Sequence, residues 1–206
     1  VDSGGKAIIP AFSIGRTQEI LLILKKYGLH AYVDGMGVDV FNLIKRAPEC
    51  VRDITKLEKM FTSTSIVEPE KRKDIIGEPS IIVTSAGMLN GGPVLYYISE
   101  IYNDPKSKIH LTGYQAEGTN GRTALERGYI VDRSETIHLN CGLELYDFSA
   151  HCGDAQLKDI VKKFCDNGTQ TVFTVHGDNT SGFAQWIEEE IGVQSFAPAN
   201  GETIYI

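Results

Sequence analysis

One feature constrains this chain more than any other. Between Lys6 and Gly113, short β-branched apolar runs alternate with amphipathic stretches of helical period. Lys6 to Ala11 reads as a buried strand, Gly15 to Tyr27 as a helix, His30 to Asp34 as a strand and Val38 to Arg46 as a helix. Ser80 to Ser85 is almost wholly apolar, as expected of a strand covered on both faces. Pro93 to Tyr102 follows as a helix with proline at its start, and Lys108 to Gly113 as a further strand. A βαβα rhythm of this kind predicts an α/β fold, with a mostly parallel sheet flanked by helices.

The rhythm changes after Gly128. Tyr129 to Leu139 and Leu143 to Phe148 read as strands with no helix between them. Asp154 to Cys165 then reads as a helix with Asp154 as its N-cap, Thr171 to Val175 as a strand and Gly182 to Glu190 as a helix. In the tail, Ser195 to Ile206 reads as two short strands around a Pro-Ala-Asn-Gly-Glu turn. An architectural break is expected near Phe148. Glu68 to Asp74 is so densely charged that it reads as a solvated connection.

Several classes of protein are disfavoured. No apolar run approaches the roughly 18 residues of a membrane span, and no secretory leader is visible. Cys50, Cys141, Cys152 and Cys165 are widely spaced, which reads as mostly reduced, buried thiols in a cytoplasmic protein rather than a disulfide framework, with Cys152 set apart by its unusual neighbours. The net charge of −7 argues against non-specific coating of nucleic acid, which needs a basic face. It leaves room for an enzyme whose few cations line one groove.

Three loops follow strands directly: Phe12 to Arg16, Ser85 to Gly92 and Gly113 to Arg122. In open α/β sheets ligands gather at this edge, where helix N-termini point free N–H groups outward. Each loop alone reads first as turn chemistry, and none fits a P-loop or a dinucleotide fingerprint. Of the five histidines, His30, His110 and His138 lie in strand runs and read as structural. His151 and His176 lie where strands run out into loops, positions from which neutral imidazoles can converge on a metal or move protons. The residues alone leave open whether they do, because no His-x-His or tight His/Asp cluster accompanies them.

Five ordered motifs resemble one family. Ile9-Pro10-Ala11-Phe12-Ser13-Ile14-Gly15-Arg16, Thr84-Ser85-Ala86-Gly87-Met88-Leu89 with Gly91-Gly92, Thr112-Gly113-Tyr114-Gln115-Ala116-Glu117-Gly118-Thr119, Phe148-Ser149-Ala150-His151 and Val175-His176-Gly177-Asp178 together resemble the β-CASP branch of metallo-β-lactamase-fold nucleases. That branch includes archaeal cleavage and polyadenylation specificity factor-like enzymes and RNase J. The resemblance implies a β-CASP domain over residues 1–147. Residues 148–206 would be the returning C-terminal segment of a metallo-β-lactamase αββα sandwich, whose N-terminal part would precede Val1.

The resemblance also implies a function: zinc-dependent hydrolysis of RNA, or of DNA in some branches, of the mRNA 3′-end-processing or RNA-decay type. It makes His176 a ligand of one of two zinc ions and His151 the general acid. Ser13, Arg16, Ser85, Gly118, Thr119, Arg122 and Ser149 are then expected to hold the substrate, the loop residues doing so beside helix N-termini. The family's His-x-His-x-Asp-His cluster is absent here, and Asp178 stands where the family has Glu. The chain alone is therefore expected to be inactive and not to retain zinc. Its expected partners are RNA, the missing N-terminal metallo-β-lactamase part and a second copy forming a homodimer. The alternative classes are a non-catalytic RNA-binding or scaffold subunit and an unrelated small-molecule enzyme with a phosphate site. Intact His151 and His176 argue against the scaffold.

Overall fold

The computed structural model describes residues 1–146, 148 and 152–205. It divides into two compact units, Val1–Ser149 and Ala150–Ile206.

The first unit is built on strands β1 (Ala7–Pro10), β2 (Tyr32–Asp34), β3 (Ser65–Ile66), β4 (Ile81–Thr84), β5 (Lys108–Leu111) and β8 (Gly142–Leu145). They form one sheet in the order β3-β2-β4-β1-β5-β8, with every pairing in it parallel. Ala7 lies opposite Ile81 on one side and Lys108 on the other. Adjacent strand residues face opposite ways, so the β-branched runs feed two cores. Ile8, Ile82 and Ile109 join one with Val94, Tyr97, Ile98 and Ile101 of helix α5 (Pro93–Ile101). Ile9, Val33 and Val83 join the other with Leu21 of α1 (Arg16–Lys26), Phe41 of α2 (Gly37–Arg46) and Met60 of α3 (Ile54–Thr62). Each fully buried side chain of this size contributes about 1.5–3 kcal/mol. The mostly parallel, helix-flanked sheet is the predicted fold class. Pro10, which has no N–H to give, ends β1 where the pairing with β5 has already stopped at Ile8, and Thr112 Oγ1 donates to its carbonyl at 3.1 Å.

Several local expectations change. The charged stretch Glu68 to Asp74 is solvent-exposed as expected apart from the half-buried Arg72, but its end forms a short helix, α4 (Arg72–Ile76). The third loop ends earlier than expected, in helix α6 (Asn120–Arg127), which Thr119 caps by accepting the Arg122 N–H. Residues 129–139 are not one strand but an antiparallel hairpin of β6 (Tyr129–Asp132) and β7 (Glu135–His138). Arg133 and Ser134, both at positive φ, make its two-residue turn. His30, just before β2, and His138, in β7, are exposed, and Cys50 is an exposed thiol where a buried one was expected; Cys152, set apart in the sequence, is exposed too. Cys141 is buried, and burial pushes its thiol up to about 11.

The second unit pairs β9 (Thr171–Phe173) with β10 (Gln194–Phe196) in parallel, beside helices α7 (Asp154–Asp166) and α8 (Thr180–Ile191). The N-cap of α7 is Gly153, not Asp154; Gln156 Oε1 accepts the Gly153 N–H at 3.2 Å. Asn179 caps α8 by accepting the Gly182 N–H at 3.1 Å. Among the described residues no strand follows the Ala199–Glu202 turn, so the expected second strand of the tail is not formed.

Candidate functional site

Because the sheet is parallel, the carboxyl ends of β1, β2, β4, β5 and β8 share one edge, and the motif loops gather there. The physics expected at that edge was a set of free helix N-termini. The structure gives most of those N–H groups to the protein's own loops. At α1, Arg16 and Thr17 donate to Ile14 and Phe12 carbonyls at 2.9 and 3.0 Å. At α5, Val94 donates to Ser85 O at 3.1 Å. At α6, Asn120 donates to Asn90 Oδ1 at 2.8 Å, Gly121 to Met88 O at 2.9 Å and Arg122 to Thr119 Oγ1 at 3.3 Å.

The loops are knitted to one another by the same motif residues. Asn120 Nδ2 donates to Leu89 O at 2.9 Å and to Val131 O at 2.8 Å. The buried Gln115 donates through Nε2 to Gly87 O at 3.1 Å and Gly113 O at 2.9 Å, spanning the second and third loops. Gly121 makes room for it: a Cβ there would stand 1.6 Å from Gln115 Oε1. Gly118, at φ 75°, supplies a left-handed turn before the cap.

Among the residues expected to touch substrate, Ser13 and Arg16 stand at the head of α1, while Gly118, Thr119 and Arg122 stand together at the head of α6. Arg16 is not open to solvent. Its side chain is 12% exposed, pairs with Glu19 at 2.5 Å, donates to the Phe148 carbonyl and lies over the Phe148 ring. Arg122 pairs with Glu126, which raises its pKa. Ser85 is buried at the end of β4, its carbonyl held by Val94. Ser149 and His151 lie outside the described residues.

Sequence reasoning missed one cluster at this edge. Asp34, the last residue of β2, is 3% exposed and accepts two hydrogen bonds from Arg72, at 2.6 Å from Nε and 3.0 Å from Nη2. Tyr97 Oη donates to the same carboxylate at 2.7 Å. Burial, then the bond to Asp34, drives the Tyr97 hydroxyl far above its usual pKa, and Asp34 raises that of Arg72. Such charge-assisted, bidentate contacts are among the strongest a protein makes. The available signal was an acidic residue ending an apolar strand, but nothing local identifies its partner 38 positions away.

In the second unit, His176 lies on the exposed loop after β9, at φ 60°. It borders a groove of about 520 Å³ shared with Asp154, Lys158, Phe173, Phe183 and Trp186. Lys158 and Lys162 stand over the Trp186 ring at 5.0 and 5.7 Å. A structural zinc needs four ligands and a catalytic one three. Among the described residues no group of three or more His, Cys, Asp or Glu side chains is placed to hold a metal. His176 therefore does not make a zinc site with its described neighbours.

Comparison with known proteins places these features. The family model described as the Beta-Casp domain matches residues 17–123, and that described as the Zn-dependent metallo-hydrolase RNA specificity domain matches residues 136–198. RNase aCSPSF2 of Saccharolobus solfataricus is 38% identical over 209 residues, covering 99% of this chain and 42% of its own length. Transcription termination factor FttA of Thermococcus kodakarensis is 32% identical over 229 residues, covering 98% of this chain and 35% of its own. An RNase J-like protein of Methanocaldococcus jannaschii is 31% identical over 232 residues, covering 100% of this chain and 51% of its own. The chain thus spans about half or less of the length of these relatives.

Proposed function

This chain belongs to the β-CASP family of metallo-hydrolases, and on that premise we propose that it is the RNA-engaging portion of a zinc-dependent ribonuclease. The observation that carries the reading is the succession of a Beta-Casp match and an RNA specificity match along one chain, with His176 on an exposed loop of the second. In this reading RNA phosphodiester bonds are hydrolysed, in mRNA 3′-end processing or RNA decay. His151 protonates the ribose oxygen that leaves as the P–O bond breaks, and water supplies the incoming oxygen. His176 would be one ligand of a metal site that needs further ligands beyond its described neighbours, and the metal would activate the attacking water. The 206-residue chain alone neither holds zinc stoichiometrically nor cleaves.

The placement of the loops refines the role of the expected substrate residues. Thr119, Gly118 and Ser85 act by shaping the edge, through a cap, a turn and a buried strand end. Arg16 acts through its hold on Phe148.

The test is made on protein expressed from the complete reading frame. His151→Ala is expected to lower cleavage of single-stranded RNA by about 10²–10⁴-fold with zinc content unchanged, and His176→Ala is expected to lower zinc content. Undiminished cleavage by His151→Ala would overturn the general-acid role. One zinc per 206-residue chain, by mass spectrometry of metals, would overturn the shared metal site.

A further inference from the structure

We infer that Phe12 is a stacking platform for an unpaired base of single-stranded RNA. The inference deepens the RNA reading above and rests on it. Phe12 is 43% exposed, in the loop between β1 and α1. A phenylalanine left this open forgoes much of its burial energy, yet the surrounding loops hold it there. Its carbonyl accepts both the Thr17 N–H at 3.0 Å and Thr17 Oγ1 at 2.9 Å, and Thr17 is 2% exposed. The ring lies along the backbone of two glycines. A Cβ at Gly87 would stand 3.4 Å from Phe12 Cδ2 and 3.1 Å from Phe12 N, and one at Gly113 would stand 3.5 Å from Phe12 Cε2. These are the two glycines whose carbonyls Gln115 bridges. Two glycines from the second and third loops, tied together by Gln115, therefore line the partly exposed ring of Phe12 in the first. Tyr114, 53% exposed, is next in the chain after Gly113.

The chemistry of the edge selects bases over phosphates. The first-turn N–H groups are largely engaged by loop carbonyls and side chains, Arg16 and Arg122 each pair with a glutamate, and the chain carries a charge of −7. Little positive field is left to gather phosphates. What the edge does offer is the Phe12 ring, 43% exposed, and an aromatic ring is a group on which any base stacks.

The test uses the 206-residue chain and a fluorescein-labelled, unstructured oligoribonucleotide, read by fluorescence anisotropy. Phe12→Ala is expected to weaken binding by about 5- to 150-fold, the range for one stacked base. Phe12→Trp should retain binding and add a tryptophan whose emission the RNA quenches. The same RNA annealed into a duplex should bind more weakly, because its base faces are covered. If the wild-type chain binds no RNA, both this inference and the RNA reading fail. If it binds and Phe12→Ala binds equally well, the stacking inference alone fails. Phe12→Trp that melts like wild type but has lost binding would overturn it too. So would a changed oligomeric state in Phe12→Ala with RNA affinity intact, which would assign the ring to contact between copies.

Discussion

Arg72→Ala tests whether the buried Asp34 carboxylate organises the first unit. The substitution removes both guanidinium bonds, at 2.6 and 3.0 Å, and leaves a 3%-exposed carboxylate that still accepts from Tyr97. Removing one partner of a buried pair costs about 3–5 kcal/mol. The Arg72 side chain is 23% exposed, so water can enter part of the gap, which places the loss at the lower end, about 3 kcal/mol. For a unit of this size that corresponds to roughly 6–12 °C in melting temperature. The assay is urea and thermal denaturation followed by far-UV circular dichroism. Trp186 belongs to the second unit, so its fluorescence tracks that unit and serves as an internal reference. The comparison variant is Lys163→Ala, which breaks the exposed Lys163–Asp159 pair, 71% and 61% exposed. It should cost no more than about 0.5 kcal/mol. An Arg72→Ala loss below about 1 kcal/mol would mean that the pair behaves as a surface contact, and the argument from burial would be refuted.

Two further outcomes follow from other parts of the first unit. Gly121→Ala drives a methyl to 1.6 Å from Gln115 Oε1 and forces that buried amide off Gly87 and Gly113; a loss of about 2–4 kcal/mol is expected from overpacking and two broken bonds, and a melt within error of wild type would refute it. His110 is half-buried in β5 against Tyr146, and burial, then Lys108, lowers its pKa. The folded protein therefore binds its proton less readily than the unfolded chain, so this residue favours folding above pH of about 6.5. That contribution is lost as pH falls through the folded value. His110→Gln should flatten the stability profile below about pH 6.5, and an unchanged slope in urea titrations would remove His110 as its source.

The alternation of apolar runs determined the sheet, because a strand covered on both faces must be apolar at consecutive positions. Ile8 and Ile9, or Ile82 and Val83, could not both be buried otherwise. The ordered motifs likewise determined the family, since several loop sequences at fixed order are far more specific than any one glycine pattern. The sequence alone did not assign work to those motifs. Asn120, Gln115 and Gly121 read as a glycine-rich anion loop, because each is polar or small and follows a strand. In three dimensions the Gln115 and Asn120 amides donate from loop to loop, and the Asn120 and Gly121 N–H groups that a phosphate would have needed are accepted by Asn90 and Met88. Arg72 sits in a run of charges that reads as solvated surface, and only the return of β2 beside it gives the side chain a buried carboxylate to meet. Local periodicity reports how each segment divides its faces between core and water. Which polar group satisfies which is a property of distant segments brought together, and that was decided by the tertiary structure.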